Sequence, residues 1–106
     1  MDAETRRERR FHAAMEDIYH QAARLGYRPT RFLQMVQAHG GVQAAPLLLA
    51  DPEVQSGLTD LWLLGRTDLS MESLVLTPEF APLFSDEERR RARARLDQVG
   101  LGLAQA

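Results

Sequence analysis

Phe11, Met15, Ile18, Ala22 and Leu25 recur at spacings of 4, 3, 4 and 3. That spacing lays five apolar side chains along one stripe of an α-helix, and it is incompatible with the two-residue alternation of a half-buried strand. Ala13, Ala14 and Ala23 add helix propensity. Gly26 supplies a C-terminal stop, and Pro29 blocks direct continuation. The sequence therefore predicts a long helix over about residues 4–25. A helix with one apolar stripe needs a partner surface, and the rest of the chain has to provide it.

Beyond residue 26 the helical pattern returns in shorter pieces. Pro29 and Thr30 open a second helix carrying Phe32, Leu33, Met35 and Val36, and Gly40 ends it. A third is expected from about Val42 to Leu49, starting late, kinking, or having Pro46 in its first turn, with Asp51-Pro52 closing it. Ser56-Gly57 reads as a loop. Leu58, Leu61, Trp62 and Leu64 make a fourth helix that stops near Gly65. Asp68 or Ser70 caps a fifth, with Glu72 in the favourable first turn and Leu74, Val75 and Leu76 as its buried side. Thr77-Pro78-Glu79 begins a short turn carrying Phe80, Leu83 and Phe84. Ser85 and Glu88 form a capping box for a last helix through Ala92, Leu96 and Val99, stopped by Gly100. Residues 100–106 are expected to be a loose tail. No stretch alternates with period two between hairpin turns. The expected fold is all-α: a compact array of five to six helices in one domain, 1–106, with the long N-terminal helix packed against the C-terminal one.

A chain of 106 residues is long enough for one real core. The absence of cysteine excludes disulfides and thiolate chemistry. No apolar run is longer than that of Leu47–Ala50, which is far short of the roughly 20 residues of a membrane span. The charged N-terminus has no apolar stretch behind it, so no signal peptide is expected and the protein reads as cytoplasmic. Net charge is −2, but it is unevenly laid out. Residues 1–31 carry seven Arg against five acids, residues 32–88 one Arg against nine acids, and residues 89–106 five Arg against one acid. Every cation is Arg, with no Lys, no Asn and a single Ile, a bias that GC-rich codons also produce.

Sequence signatures of catalysis are missing. His12 and His20 are two helical turns apart, too far to share a metal, and no zinc-protease, phosphate-loop or nucleophile-elbow pattern occurs. No catalytic, metal-binding or cofactor-binding residue is assigned, and no cofactor is expected. The second and third helices have the length of a DNA-reading helix-turn-helix. The would-be recognition helix, VQAAPLLL, has no cation and only Gln43 to read a base, so it reads as packing. Arg6, Arg7, Arg9, Arg10, Arg89, Arg90, Arg91 and Arg93 are candidate phosphate-binding residues if the two ends of the chain meet. A solvated face with intrahelical pairs, Glu87 or Glu88 with Arg91, is the competing reading. Arg66, the one cation of the acidic middle, is expected to pair with Asp68, Asp60 or helix-end carbonyls.

The stretches GYRPTRFLQMVQAHGGVQAAPLLL and GLTDLWLLGRTDLSMESLVLTPEFAPLF resemble a group of short, uncharacterised bacterial helical proteins and domains. Their shared pattern is Thr-Arg-Phe-Leu, His-Gly-Gly, Leu-Trp and Gly-Arg-x-Asp-Leu-Ser. The resemblance carries no known activity. It nominates Tyr27, Arg31, His39, Trp62, Arg66 and Asp68 as candidate binding positions. This chain departs from the pattern at Pro46, where a Lys or Arg is expected, which weakens anion binding on that helix face. Taken together, the sequence points to a non-enzymatic protein-interaction module, monomeric or homodimeric. The alternatives are a nucleic-acid-binding accessory protein using its Arg-rich ends, and a small enzyme or ligand site around Arg31, His39 and Arg66.

Overall fold

The first helix, α1, spans Ala3–Arg24 in a computed structural model that describes residues 2–105, and the side chains of 2–51 and 57–99. Its N-cap is Asp2, whose carboxylate accepts from the Thr5 N–H at 2.8 Å. The predicted stripe is its buried side: Phe11, Met15, Ile18 and Ala22 are all enclosed, while Leu25, one turn further, is exposed. The chain continues through α2 (Thr30–His39), α3 (Gly41–Leu49), α4 (Pro52–Leu63), α5 (Met71–Leu76) and α6 (Asp86–Gln105). Two 3-10 turns, Thr67–Leu69 and Ala81–Leu83, flank α5. Among the described residues there is no strand.

One apolar cluster joins these elements. Phe11 is at its centre and meets the edges of Phe80 and Phe84, at ring-centroid distances of 5.3 and 5.0 Å. Val36, Ala44, Ala45, Leu48, Val75 and Ala92 complete it from α2, α3, α5 and α6. Burial of Ala44, Ala45, Leu48 and Leu49 makes α3 a core element, in agreement with its reading as packing. The two long helices, α1 and α6, both contact α3 and α5.

Four local expectations change. Pro46 neither delays nor ends α3; it sits in the second turn of a helix that starts at Gly41. The helix tolerates the missing N–H because both sides of the proline are held by buried side chains rather than by local hydrogen bonding alone. Asp51-Pro52 opens α4 as much as it closes α3, with Pro52 at the first helical position, where its lack of an N–H costs nothing. The helix then runs through Ser56-Gly57, so no loop occurs there. Gly100 does not stop α6, since one glycine costs a helix only about 1 kcal/mol. The expected tail, 100–106, falls outside the residues whose side chains are described. The capping box is present as read: Ser85 N–H donates to Glu88 Oε1 at 2.8 Å and Glu88 N–H to Ser85 Oγ at 3.1 Å.

The His-Gly-Gly turn has a physical explanation. Gly40 adopts φ +80°, ψ 154°, a conformation closed to side-chain-bearing residues. Gly41 lies so close to α1 that a Cβ there would stand 2.7 Å from His12 Cα. Across that contact, the Gly41 N–H donates to His12 Nδ1 at 2.9 Å. The first orphan N–H of α3 is thus capped by a side chain from α1, which leaves the ring proton on Nε2, facing Glu16 at 3.3 Å. Gly41→Ala is expected to lower stability by about 1–3 kcal/mol through overpacking, and His12→Ala by about 0.5–2 kcal/mol through the lost cap. Both should appear in urea denaturation as a lower midpoint with an unchanged slope. An unaffected Gly41→Ala midpoint would contradict the close α1–α3 crossing.

Candidate functional site

Two charged side chains lie on apolar helix faces. On α5, Glu72 falls between the buried Met71 and Val75; on α6, Arg95 follows the buried Ala92 by three residues. They meet in the interior: Arg95 Nη1 donates to Glu72 Oε2 at 3.1 Å, with 9% and 2% of the two side chains exposed. The same guanidinium donates to the Leu48 carbonyl at 3.2 Å and to the Asp51 carbonyl at 3.1 Å. These carbonyls lie at the end of α3 and the entry to α4; that of Leu48 also accepts from the Asp51 N–H at 3.1 Å. Asp51 is held from the other side as well, its carboxylate accepting from Arg31 Nε at 2.8 Å. Glu72 is set in place by the turn before it. Ser70 caps α5 by accepting from the Ser73 N–H at 3.1 Å, and the hydroxyls of Ser70 and Ser73 both donate to the Thr67 carbonyl.

Burial pushes the Glu72 carboxyl above its ordinary range. Its own backbone N–H and the Arg95 guanidinium pull in the other direction and offset part of that rise. Glu72 also forms part of the wall of a cavity, along with Ile18, Tyr27, Leu58, Leu61 and Leu69. The cavity offers about 40 Å³ of water-sized space and is partly open to solvent. Tyr27 presses its hydroxyl against the backbone of α4 at Gly57, where any Cβ would collide with it. Gly57 is therefore the residue that lets Tyr27 close over the cavity. Burial, then the nearby Asp60 and Glu72 carboxylates, push the Tyr27 phenol upward.

The nominated residues fall in separate places. Tyr27 lines the cavity. Arg31 is engaged by Asp51. His39, at the end of α2, lines a surface groove with Arg9, His12 and Gln43. Trp62 is 39% exposed at the end of α4. Arg66 and Asp68 form a two-pronged pair at 3.0 and 3.1 Å, which raises the guanidinium and lowers the carboxyl. Arg31, His39 and Arg66 thus have different immediate surroundings.

The candidate phosphate-binding arginines divide in two. Arg10 pairs with Glu79, and Arg89 donates to the Ala81 and Phe84 carbonyls and to Asp86. Both clusters are therefore anchored to the same segment, 79–84. Arg91 pairs with Glu87 at 3.2 Å. Arg6, Arg9, Arg90 and Arg93 are exposed and make no ion pair among the described residues; Arg7 is half-buried. Among the described residues, no three His, Asp or Glu side chains gather as a metal site, and no helix is long and apolar enough to cross a membrane.

In the sequence, Glu72 stands out only as a first-turn acid suited to the α5 dipole and Arg95 only as one of the crowded arginines of α6, so their pairing was missed. A signal was available: each charge falls in phase with its helix's apolar positions. Comparison with family models, with curated proteins and with solved structures found no match to this chain.

Removing Arg95 should be far more damaging than removing the pair. Arg95→Met is expected to cost about 3–5 kcal/mol near neutral pH, because it strands a buried carboxylate, while Glu72→Met/Arg95→Met should recover much of that loss. The single variant's deficit should grow with pH. A carboxyl raised in the folded state contributes stability that is full below its unfolded value of 4.5 and is lost as pH rises through the folded value. Without the guanidinium that rise is larger. Urea titrations between about pH 4 and 8 measure this; a deficit independent of pH would contradict it.

Proposed function

We propose that this chain is a non-catalytic protein-interaction module that docks a protein partner, or a second copy of itself, through the end of α4. One observation carries the reading. Trp62, Leu63 and Leu64 are consecutive and 39%, 65% and 45% exposed, directly after the buried Leu61. Three successive helical positions fan over about 200°, so packing Leu61 inward leaves the next three facing out. Large apolar side chains grouped in this way favour association. Tryptophan is also the side chain most enriched among residues that dominate binding energy. Gly65, at φ +70°, turns the chain sharply after the patch, and the Arg66–Asp68 pair adds a polar edge.

Leu63→Glu tests this without touching the core. A purified partner, or the self-associated protein, should lose at least about tenfold in affinity, while the thermal midpoint stays within a few degrees of the parent. Sedimentation of the parent and the variant separates self-association from binding to another protein. Equal binding by both proteins would refute the α4 surface.

A second reading rests on the exposed arginines that make no ion pair among the described residues, Arg6, Arg9, Arg90 and Arg93. If they contact phosphates, affinity for a duplex or single strand falls steeply with salt, with a log–log slope of about 0.7–0.9 per phosphate engaged. No binding in low salt removes this reading.

A further inference from the structure

We propose that the cavity between α1 and α4 binds the end of a short aliphatic chain: the last few carbons of a small amphiphile whose head stays outside. The inference is independent of the exposed α4 surface and stands on the cavity itself.

The lining selects carbon. Ile18 and Ala22 of α1, Leu58 and Leu61 of α4, and Leu69 and Met71 beyond it make up much of the wall, and the surface open to the cavity is mostly apolar. The polar side chains of the wall are already engaged. Glu72 is ion-paired with Arg95 at 3.1 Å and bonded by its own backbone N–H. Ser70 donates to the Thr67 carbonyl and accepts from the Ser73 N–H. The Tyr27 hydroxyl lies against the backbone at Gly57. A water held inside needs two to four polar partners, and these side chains have little left to give. Carbon placed there gains the dispersion contacts that an empty space forfeits.

The room selects a chain end. One water-sized group takes about 10–15 Å³, so 40 Å³ holds roughly three or four carbons. A benzene ring occupies a cavity of about 150 Å³ and is excluded. The space has a source in the sequence. Along the α1 stripe, Phe11, Met15 and Ile18 carry large side chains, but the buried position that reaches the cavity after them is Ala22. The cavity is partly open, and with its mouth it spans about 410 Å³. That is within the range of small-molecule sites, about 300–1,000 Å³, and leaves a place for a head group outside the apolar recess.

The test titrates the full chain with straight-chain alcohols from ethanol to n-pentanol and follows the backbone amides of Ala22, Gly57 and Ser70 by NMR. Saturable shifts are expected, with affinity rising about three- to fourfold per added methylene. 1,5-Pentanediol should bind at least about tenfold more weakly than n-pentanol, because its far end buries a hydroxyl without a partner. Benzyl alcohol should be weaker than n-pentanol as well. Ala22→Val fills the recess and should weaken n-pentanol at least about tenfold. Ile18→Val removes one carbon from the wall and should tighten it, which keeps the proposal testable if the valine at 22 disturbs folding. Affinity that does not rise with chain length, or equal binding of n-pentanol and 1,5-pentanediol, overturns the aliphatic assignment. Affinity unchanged in both variants overturns the site. An aliphatic side chain of a protein partner is the rival occupant, and tighter binding of N-acetyl-leucine methylamide than of n-pentanol would decide for it and against the small amphiphile.

Discussion

Arg95 joins more of this protein than any other described polar side chain. One guanidinium neutralises Glu72 on α5, takes up a carbonyl at the end of α3 and takes up another at the entry to α4. Four helices are therefore set relative to one another by a group whose planar donors have fixed directions. A buried ion pair contributes little net stability, because desolvation cancels most of the attraction. Its effect here is on geometry. Any packing of α6 that moved the guanidinium away would leave a buried carboxylate without its charge partner and remove a donor from two carbonyls, so competing arrangements of the same apolar faces are disfavoured.

The cavity follows from that constraint. Glu72 cannot turn away from Arg95, and it sits beside Tyr27 and the apolar wall contributed by α1 and α4. Tyr27 in turn depends on Gly57, where α4 presents bare backbone. An ion-paired carboxylate is thereby held in the wall of an otherwise apolar space, with Ser70 and Ser73 bonded to Thr67 to fix the turn that delivers it. The exposed end of α4 lies one residue beyond Leu61, which is part of the cavity wall. The two features share a helix but not a chemistry: one is a group of exposed apolar side chains, the other a recess with an ion-paired carboxylate in its wall.

Helix positions and caps were largely legible in the sequence, because they depend on local spacing. The α1 stripe, the Ser85–Glu88 box and the Ser70 cap needed no tertiary information. What escaped was non-local. Gly57 reads as a loop residue unless Tyr27, thirty positions earlier, is known to press against it. Pro46 reads as a late start or a kink unless Ala44 and Ala45 before it and Leu48 and Leu49 after it are known to be buried. The Glu72–Arg95 pair spans 23 residues, and only the phase of each charge on its own helix hinted at it. Of the nominated positions, Tyr27 lines the cavity and Trp62 belongs to the exposed surface, whereas Arg31, Arg66 and Asp68 are engaged in ion pairs.

Helix α3 is capped at both ends by side chains from elsewhere, His12 of α1 at its start and Arg95 of α6 at its end. It has nine residues and an internal proline, so nucleation alone would leave it almost unpopulated in an isolated peptide. Its order is borrowed from the two ends of the chain. During folding α3 can persist only once the N-terminal and C-terminal helices have both arrived, which couples residues separated by nearly the full length of the molecule. A helix with five buried residues is then expected among the last to become fixed. Core substitutions in α3 should chiefly accelerate unfolding rather than slow folding.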